Sequence, residues 1–255
     1  MLPKRYLVTG ATSGIGAATM SLLHGMTGTC IAMDRRPPEH PGDYVACNLA
    51  DEESIARACA AIEGPLDGIA HVAGVPGTLP GPVVMTVNYL GARRLIEELL
   101  PKLAVGASVV MVSSLAARRC SLEAEQLRKL LALTHWQAVI EATRAAEIDG
   151  GTAYETSKRL LNAWLPYATE LGAKRRIRVN IVSPGPVTTP LLKDFRESMG
   201  AERIDAAEQV VGRHGRAEEI AAVIAFLLSP AASWVNGVEI SADGGLQALR
   251  EAATA

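Results

Sequence analysis

The sequence predicts a single α/β domain, a doubly wound parallel sheet of about seven strands with helices on both faces. Two observations predict this class. Short apolar runs alternate with helical patterns along almost all of the 255 residues, and a glycine-rich turn joins the first strand-like run to the first helix-like run. The strand-like runs are Tyr6–Val8, Cys30–Met33, Tyr44–Ala46, Gly68–Val72, Ser108–Val112, Arg178–Val182 and Val238–Ile240.

Composition excludes several classes of function. An apolar fraction of 49% is enough for a sizeable core, and a length of 255 residues is common for one α/β domain. The net charge of −2 provides no basic surface for nucleic acid or for a membrane, and 4% aromatic residues argue against base stacking.

Cysteine usage and the start of the chain predict a cytoplasmic protein without a bound metal. The spacing of the four cysteines matches neither a disulfide framework nor a zinc site, so we interpret them as small buried apolar residues. No apolar run reaches the roughly 18 residues that span a bilayer. The first strand begins near residue 5, which leaves no room for a signal peptide.

The segment Thr9–Gly16 has the features of a dinucleotide-binding turn. It follows the strand-like run Tyr6–Val8 and opens the helix-like run Ile15–Met26. Glycines permit a tight turn and a close approach to a pyrophosphate, and the N-terminus of the helix offers free N–H groups. Glycine-rich turns are common, but a strand before and a helix after predict a Rossmann-like nucleotide site. The candidate residues are Gly10, Thr12, Ser13, Gly14, Ile15 and Gly16.

Asp34 ends the second strand, about 18 residues after Gly16. A carboxylate at this point accepts hydrogen bonds from the ribose of NAD and repels the additional phosphate of NADP. Arg35 and Arg36 argue the other way, since arginine pairs with that phosphate. We expect NAD, with NADP as the weaker alternative. The neighbouring Pro37-Pro38 leaves open that Asp34 is an ordinary turn residue.

The ends of the third and fourth strands contribute further cofactor candidates. Asn48 and Leu49 follow the third strand, where an adenine ring would lie. We expect Asp51 or an adjacent polar residue to cap the helix that follows, Glu52–Ile62. Ala73-Gly74 follows the fourth strand, and the glycine allows close approach of the backbone.

Two polar residues lie within apolar runs. His71 is interpreted as an interior histidine with satisfied hydrogen bonds, rather than as a base or a ligand. Asn88 lies within an apolar helical run and needs hydrogen-bond partners, so the pattern alone favours a structural role.

Hydroxyl, phenol and amine groups recur at the same predicted edge of the sheet. The fifth strand runs into Ser113-Ser114, and a later helix carries Tyr154 and Lys158. Positions i and i+4 share one face of a helix, so the phenol and the ammonium are neighbours. Such a pair is common by chance, but its position after the glycine turn and Ser114 strengthens its interpretation as part of a catalytic site.

Residues from about 119 to 150 form a helical insertion between the fifth strand and the tyrosine helix. Its apolar residues recur at helical spacing, with Ser121 as a candidate cap and Gly150-Gly151 as its end. An amphipathic pair or a broken helix of this kind suits a lid, a subunit contact or a packed surface excursion.

The last third of the chain supplies a further loop and a flap. The segment Ser183–Pro190 is a proline-rich loop at the ligand edge, and residues from about 190 to 212 form a helical flap interrupted by Gly200. Helix Ala217–Leu228 and a final strand complete the sheet, and we expect the last few alanine-rich residues to be frayed.

Taken together, these motifs resemble the short-chain dehydrogenases/reductases over nearly the whole chain. Within that family the sequence is most similar to the bacterial hydroxysteroid dehydrogenases/carbonyl reductases, which share the insertion. The matching signatures are the cofactor turn Thr9–Gly16, Asn88, Ser114, the pair Tyr154 and Lys158, Pro184-Gly185 with Thr189, and Asp243–Gly245.

The resemblance implies roles for individual residues. Asn88, Ser114, Tyr154 and Lys158 would form a catalytic tetrad, with Tyr154 as acid/base and Lys158 bringing the pKa of its phenol near neutrality. The cofactor would contact, besides the turn, Asp34, Arg35, Asn48, Leu49, Ala73, Gly74, Asn88, Tyr154, Lys158, Pro184, Gly185, Val187 and Thr189.

The sequence departs from the family pattern at three points. His71-Val72 stands where an Asn-Asn pair is usual, which puts the local bonding of that strand in doubt. Asn48 replaces a common aspartate near the adenine. Ser114 and Tyr154 are farther apart than in typical members, and the insertion lies just before a helix that many members use for subunit pairing.

The expected function is NAD-dependent interconversion of a secondary alcohol and a ketone. Apolar flap residues favour a hydrophobic, alicyclic or steroid-like substrate, with a small cyclic, terpenoid or aromatic alcohol as the alternative. A non-catalytic NAD-binding regulator and a nucleotide-sugar epimerase or dehydratase are less favoured alternatives. We expect a homodimer or homotetramer. The flap residues are Leu191, Leu192, Phe195 and Met199.

Overall fold

The computed structural model describes residues 3–26, 28–38 and 42–254. Its main sheet has seven strands, all parallel, in the order β3-β2-β1-β4-β5-β6-β9, and β7 pairs with β8 in a separate two-stranded sheet. The strands are β1 (Arg5–Thr9), β2 (Thr29–Asp34), β3 (Asp43–Ala46), β4 (Leu66–His71), β5 (Leu103–Val112), β6 (Arg178–Pro184), β7 (Val187–Thr188), β8 (Gly215–Arg216) and β9 (Glu239–Ala242).

The helices lie on both faces of the sheet, as the sequence predicts. Alternate residues of each strand face opposite cores: Leu7 and Ile69 pack on one side, Val8 and Ala70 on the other. The helices are α1 (Gly14–Gly25), α2 (Glu52–Ala61), α3 (Gly81–Met85), α4 (Ala92–Leu99), α5 (Ala124–Ala132), α6 (Trp136–Ala145), α7 (Gly150–Ala173), α8 (Leu192–Met199), α9 (Ala201–Val211), α10 (Ala217–Leu228) and α11 (Leu246–Thr254).

The doubly wound α/β fold is therefore confirmed, and all seven predicted strands are present with shifted ends. The chain crosses from one half of the sheet to the other between β3 and β4, so β1 and β4 lie side by side at the centre. Ligands of such sheets bind at the carboxyl edge beside this switch point. The Asp51 cap is also confirmed, because its carboxylate accepts from the N–H groups of Glu53 and Ser54.

One long helix contains an unpredicted irregularity. From Gly81 to Leu99 the chain is continuously helical, and Thr86–Gly91 forms a π-helical turn between α3 and α4. Gly91 in this turn packs against the backbone of Leu49, where a Cβ would overlap the Leu49 carbonyl oxygen. The turn therefore brings the helix against the loop that follows β3.

The insertion differs from the prediction in detail. It forms two helices, α5 and α6, which pack on α7 and α3. Ser121 is not the cap, because α5 begins after Glu123, whose N–H donates to Gln126 Oε1 at 2.9 Å. The insertion ends at Gly150 and Gly151, where α7 begins with Asp149 as its N-cap. Glycine is required at position 150 because a Cβ there would overlap the backbone carbonyl oxygens of Gly77 and Leu79.

The prediction of a frayed end is wrong for the described residues. Residues Leu246–Thr254 form α11, whose start is held by the Asp243 carboxylate accepting from the Gln247 N–H at 2.9 Å. Leu246 is 2% exposed and packs against Leu115 and Ala207, which gives the helix an anchor in the body of the protein.

Two further sequence-based points can be compared with the structure. Cys30, Cys47 and Cys59 are buried as interpreted, whereas Cys120 is half-buried, and all four are free thiols. None of the described helices combines the length and the hydropathy needed to cross a bilayer.

Candidate active site

A cleft of about 820 Å³ runs along the carboxyl edge of the main sheet. It is lined by all of the predicted cofactor residues except Asn88, and also by the predicted catalytic residue Ser114. The strands end at one edge because they are parallel, so residues from widely separated segments meet there. Residues 120–147 do not line the cleft, so its walls come from other elements than the insertion helices.

The glycine turn has the close packing that its sequence predicts. Gly10 and Gly14 have φ of +66° and +53°, a region that favours glycine. A Cβ on Gly10 would lie 2.9 Å from backbone atoms of Ala73, and one on Gly16 would overlap the Gly10 carbonyl oxygen. Ser13 is the N-cap of α1, and its side chain forms no cap hydrogen bond. The first N–H groups of α1 are thus suited to phosphate oxygens.

The Asp34 carboxylate is fixed by the same turn. Its Oδ2 accepts from the Thr12 hydroxyl at 2.8 Å and from the Thr12 N–H at 3.3 Å. Its Oδ1 accepts from the Arg35 N–H at 2.7 Å. Sequence reasoning placed Thr12 in the turn without foreseeing that its hydroxyl orients the acidic residue at the end of β2.

A hydrogen-bond chain joins β1 to β4 at the centre of the edge. The Thr9 hydroxyl oxygen accepts from the N–H groups of Val72 and Ala73, at 3.1 and 3.0 Å. Its single proton is then available for His71 Nδ1, 3.1 Å away. His71 must accept at Nδ1, which makes it the neutral tautomer with a proton on Nε2.

His71 is therefore only half-satisfied, which corrects the expectation of a fully bonded interior histidine. Its Nε2 has no hydrogen-bond partner among the described residues. Burial, with a smaller contribution from the Lys158 charge, lowers the pKa of His71 to about 3. The ring stays neutral because its protonated form would be desolvated beside another cation. A role as a base is not supported.

Asn88 lies behind the cleft and holds its wall. Its Oδ1 accepts from the Val75 N–H at 2.8 Å, and its Nδ2 donates to the Val75 carbonyl at 2.9 Å. A Cβ on Gly74 would lie 3.2 Å from Asn88 Oδ1 and 3.4 Å from Lys158 Nζ. These contacts agree with the structural role that the apolar pattern indicates.

Ser114, Tyr154 and Lys158 meet where β5 and α7 adjoin. The Ser114 hydroxyl hydrogen-bonds to the buried Tyr154 phenol. Lys158 Nζ donates to the Val112 carbonyl at 3.0 Å and lies 5.8 Å from the centroid of the Tyr154 ring. The i and i+4 spacing therefore does place the amine beside the phenol, with the hydroxyl from the neighbouring strand end close by.

The electrostatics of this group differ from the expectation. Burial raises the pKa of Tyr154 to about 12, opposed by the Ser114 hydrogen bond and by the positive charge of Arg119. Burial lowers the pKa of Lys158 to about 8. The Lys158 ammonium donates to the Val112 carbonyl, and burial disfavours its charge.

The other half of the cleft is formed by helices. Phe195 of α8 packs its ring 5.2 Å from that of Tyr154, at an interplanar angle of 57°. The four predicted apolar flap residues all line the cleft, as do Ile204 and Ala207 of α9. Sequence reasoning missed Arg119 and the two residues of α11, Leu246 and Arg250. The only available signal for α11 was the helical spacing of those two residues.

The comparisons with known proteins agree with this geometry. Residues 6–161 match the model of a family described as NAD dependent epimerase/dehydratase, and residues 132–247 match one described as Enoyl-(Acyl carrier protein) reductase. The chain is 36% identical over 249 residues to a coniferyl-alcohol dehydrogenase of Pseudomonas sp. (strain HR199 / DSM 7063), covering 95% of this chain and 96% of that protein.

Two further similarities involve hydroxysteroid dehydrogenases. The chain is 32% identical over 250 residues to the 3-alpha-hydroxysteroid dehydrogenase/carbonyl reductase of Comamonas testosteroni, covering 95% of this chain and 96% of that protein. A solved structure of the 3-alpha-hydroxysteroid dehydrogenase from Pseudomonas sp. B-0831, complexed with NADH, superposes with a TM-score of 0.85 at 30% identity. That match covers 98% of this chain and 99% of the other.

The fold, the cleft and these full-length relatives identify an enzyme, an oxidoreductase that acts on alcohols with a nicotinamide cofactor. The chain belongs to the short-chain dehydrogenase/reductase family.

Proposed function

We propose that this enzyme interconverts a secondary alcohol and a ketone with NAD, on a hydrophobic, alicyclic or steroid-like substrate. The observation that carries the proposal is the group of Ser114, Tyr154 and Lys158 at one end of the cleft, with the phenol packed against Phe195 of the apolar flap. A cofactor-binding regulator needs the glycine turn and Asp34 but not this group, so the group favours catalysis.

The cleft fits a nicotinamide dinucleotide. The glycines of the turn leave room for the approach of a pyrophosphate, and the first N–H groups of α1 would bind its oxygens. Asp34 would bind the adenosine ribose, and Asn48 and Leu49 line the cleft where the adenine would lie. Lys158 would bind the nicotinamide ribose, and Thr189 with the Val187 backbone would bind the carboxamide. When bound, the nicotinamide accepts or donates the hydride.

NAD rather than NADP is favoured by the fixed carboxylate. The hydrogen bonds from Thr12 keep Asp34 turned toward the glycine turn, where its charge would repel an additional phosphate. Arg35 and Arg36 are exposed beyond it. We expect Asp34→Ala, with Arg35 retained, to shift the ratio of kcat/KM values toward NADP by about tenfold or more. An unchanged ratio would argue against the ribose role.

The side chains at the end of the cleft provide the proton transfer. In the oxidation of an alcohol, the Tyr154 phenolate takes the hydroxyl proton as hydride leaves the carbon. In the reduction of a ketone, the phenol returns that proton to the oxygen. Ser114 would donate a hydrogen bond to the same oxygen and stabilise the charge that develops on it.

The apolar lining supports a hydrophobic cyclic substrate, and an aromatic alcohol is the second candidate. Leu191, Leu192 and Met199 together with Phe195 form a wall that suits a rigid apolar ring system. One relative is named for coniferyl alcohol, which is aromatic, and two are named for hydroxysteroids. The contact between the Phe195 and Tyr154 rings marks a place where a flat aromatic ring would also pack.

A panel of substrates tests the proposal. Purified enzyme is mixed with steroid, alicyclic, terpenoid and aromatic alcohols or ketones, with NAD(H) and NADP(H) in parallel, and the absorbance of the reduced cofactor is followed. We expect turnover of cyclic secondary alcohols and their ketones with NAD(H). Turnover restricted to aromatic alcohols would select the second candidate. Cofactor binding without turnover of any member would favour a regulator.

A further inference from the structure

Arg119 is a positively charged residue in the wall of the cleft, and the mechanism described above gives it no role. It is the last residue of the 3₁₀ turn Leu115–Arg119 that begins after Ser114, and it precedes the insertion. Its Nε donates to Glu155 Oε1 at 2.7 Å, and its Nη2 lies 3.4 Å from Met199 Sδ. It thus connects the turn after β5, the catalytic helix α7 and the end of α8.

The ion pair is better shielded than a surface pair. The side chain of Arg119 is 31% exposed and that of Glu155 is 20% exposed, whereas the adjacent Arg118 is 47% exposed and lies 4.0 Å from Glu251. Partial burial reduces screening by solvent, so the charge of Arg119 acts over a longer range than a surface charge would. Arg118 does not line the cleft.

Arg119 lines the same cleft as Tyr154 and is held from outside α7 by Glu155, the residue that follows Tyr154. Lys158 lies over the Tyr154 ring and donates to a carbonyl, and the buried His71 ring is neutral. The charge of Glu155, the residue after Tyr154, is balanced by Arg119 itself. The remaining charged groups that line this half of the cleft are Asp194 of α8, Arg203 of α9 and Arg250 of α11.

We propose that Arg119 is a positioning residue of the proton-transfer site, which, anchored by Glu155, holds a positive charge beside the Tyr154 phenol and stabilises the phenolate. The inference depends on the proposed acid/base role of Tyr154 for its catalytic consequence. The physical effect, on the ionisation of the phenol, does not depend on any substrate. A role in stabilising the phenolate agrees with the effect of the Arg119 charge, which lowers the pKa of Tyr154.

The direction in which the pKa of Tyr154 shifts distinguishes an electrostatic role of Arg119 from a structural one. Arg119→Gln removes the positive charge and is expected to raise the pKa of the Tyr154 phenol by about one unit. Glu155→Gln keeps an oxygen that accepts from Arg119 but removes the negative charge, so it should lower that pKa. Arg119→Lys retains the charge and should restore most of the effect. Arg118→Gln is the matched control.

The experiment is an ultraviolet difference titration of tyrosinate in each variant. The chain has five tyrosines, so a Tyr154→Phe background carrying the same second substitution is subtracted each time. Where the enzyme turns over an alcohol, the rising limb of the pH profile of kcat/KM is expected to move to higher pH in Arg119→Gln and to lower pH in Glu155→Gln. Fluorescence titration with NADH checks that cofactor binding is retained.

The outcomes are distinguishable. Opposite shifts in the two variants, with no shift in Arg118→Gln, support the inference. Equal shifts, shifts of one sign or no shift of the phenol pKa overturn it, even if activity falls. If the phenol shifts as expected but no alcohol or ketone is turned over, the inference about Arg119 stands and the proposed function fails.

Discussion

The two halves of the cleft are built in different ways. The half predicted to hold the dinucleotide consists of strand ends and a glycine turn, where backbone groups approach one another closely, as at Gly10 and Ala73. The half predicted to hold the substrate consists of side chains on α8, α9 and α11. The first half is built from the ends of the central strands, whereas the second is built from helices that lie beyond those strand ends. Substitutions should therefore affect cofactor and substrate separately.

The largest expected effect lies at the junction of the halves. Tyr154→Phe removes the only group proposed to move the proton, so turnover should fall about 100-fold or more. The ring contact with Phe195 is kept. NADH affinity, measured by fluorescence, should survive because neither the turn nor Asp34 is altered. A variant that keeps more than about a tenth of the wild-type turnover would end the acid/base assignment.

The cofactor half is tested by adding one methyl group. In Gly16→Ala the new Cβ would overlap the Gly10 carbonyl oxygen, so the turn must shift. We expect NADH binding to weaken by more than about tenfold, with a lower Tm, since the cost is backbone displacement. Gly25→Ala, at the other end of α1 where nothing lies within 4 Å, is the control and should be neutral or slightly stabilising. Equal losses in both variants would contradict the close-packing explanation.

The substrate half is tested through α11. Leu246→Ala removes the buried contact with Leu115 and Ala207 and should let the helix move away from the cleft. We expect KM for the alcohol to rise by about fivefold to tenfold, while the Kd for NADH stays unchanged. Leu249, on the same helix, is 50% exposed, so Leu249→Ala is the control. Weaker NADH binding in Leu246→Ala would show that the halves are not independent.

The smallest expected effect concerns the orientation of Asp34. Thr12→Val removes the 2.8 Å hydrogen bond to Oδ2 and leaves the carboxylate charge in place. One such bond is worth about 1 kcal/mol, so NAD affinity should fall about fivefold with discrimination against NADP partly retained. Thr12→Ser keeps the hydroxyl and should behave like the wild type in the same kcat/KM measurements. A loss of equal size in both variants would show that the hydroxyl hydrogen bond to Asp34 is not the cause.

The same contrast explains what the sequence could predict. Parallel strands end at one edge, so naming the strand ends was enough to name residues that line the cleft, from Gly10 to Thr189. Asn88 is the exception. Its side chain is bonded to Val75 behind the wall, a partner that no local pattern indicates. The roles proposed for these residues remain predictions.

The remaining features depend on tertiary contacts. The end of the chain is alanine-rich, and α11 is held mainly by Leu246 against residues distant in sequence. The spacing of Tyr154 and Lys158 indicated that they are neighbours. It did not indicate that the ammonium points to Val112 or that Arg119, from another element, also lines the cleft.

The π-helical turn at Thr86–Gly91 has a consequence for chain length. A π turn closes with i→i+5 bonds and holds one residue more than an α turn. Excising one residue between Asn88 and Ala92 would return the turn to α geometry and change the direction in which Asn88 projects relative to Ala92–Leu99. Val75 would then lose its amide partner, whereas Leu95 and Leu99 would stay in the interior. The extra residue of the π turn allows one continuous helix to hold the loop at Val75 through Asn88 and to bury Leu95 and Leu99 in the core.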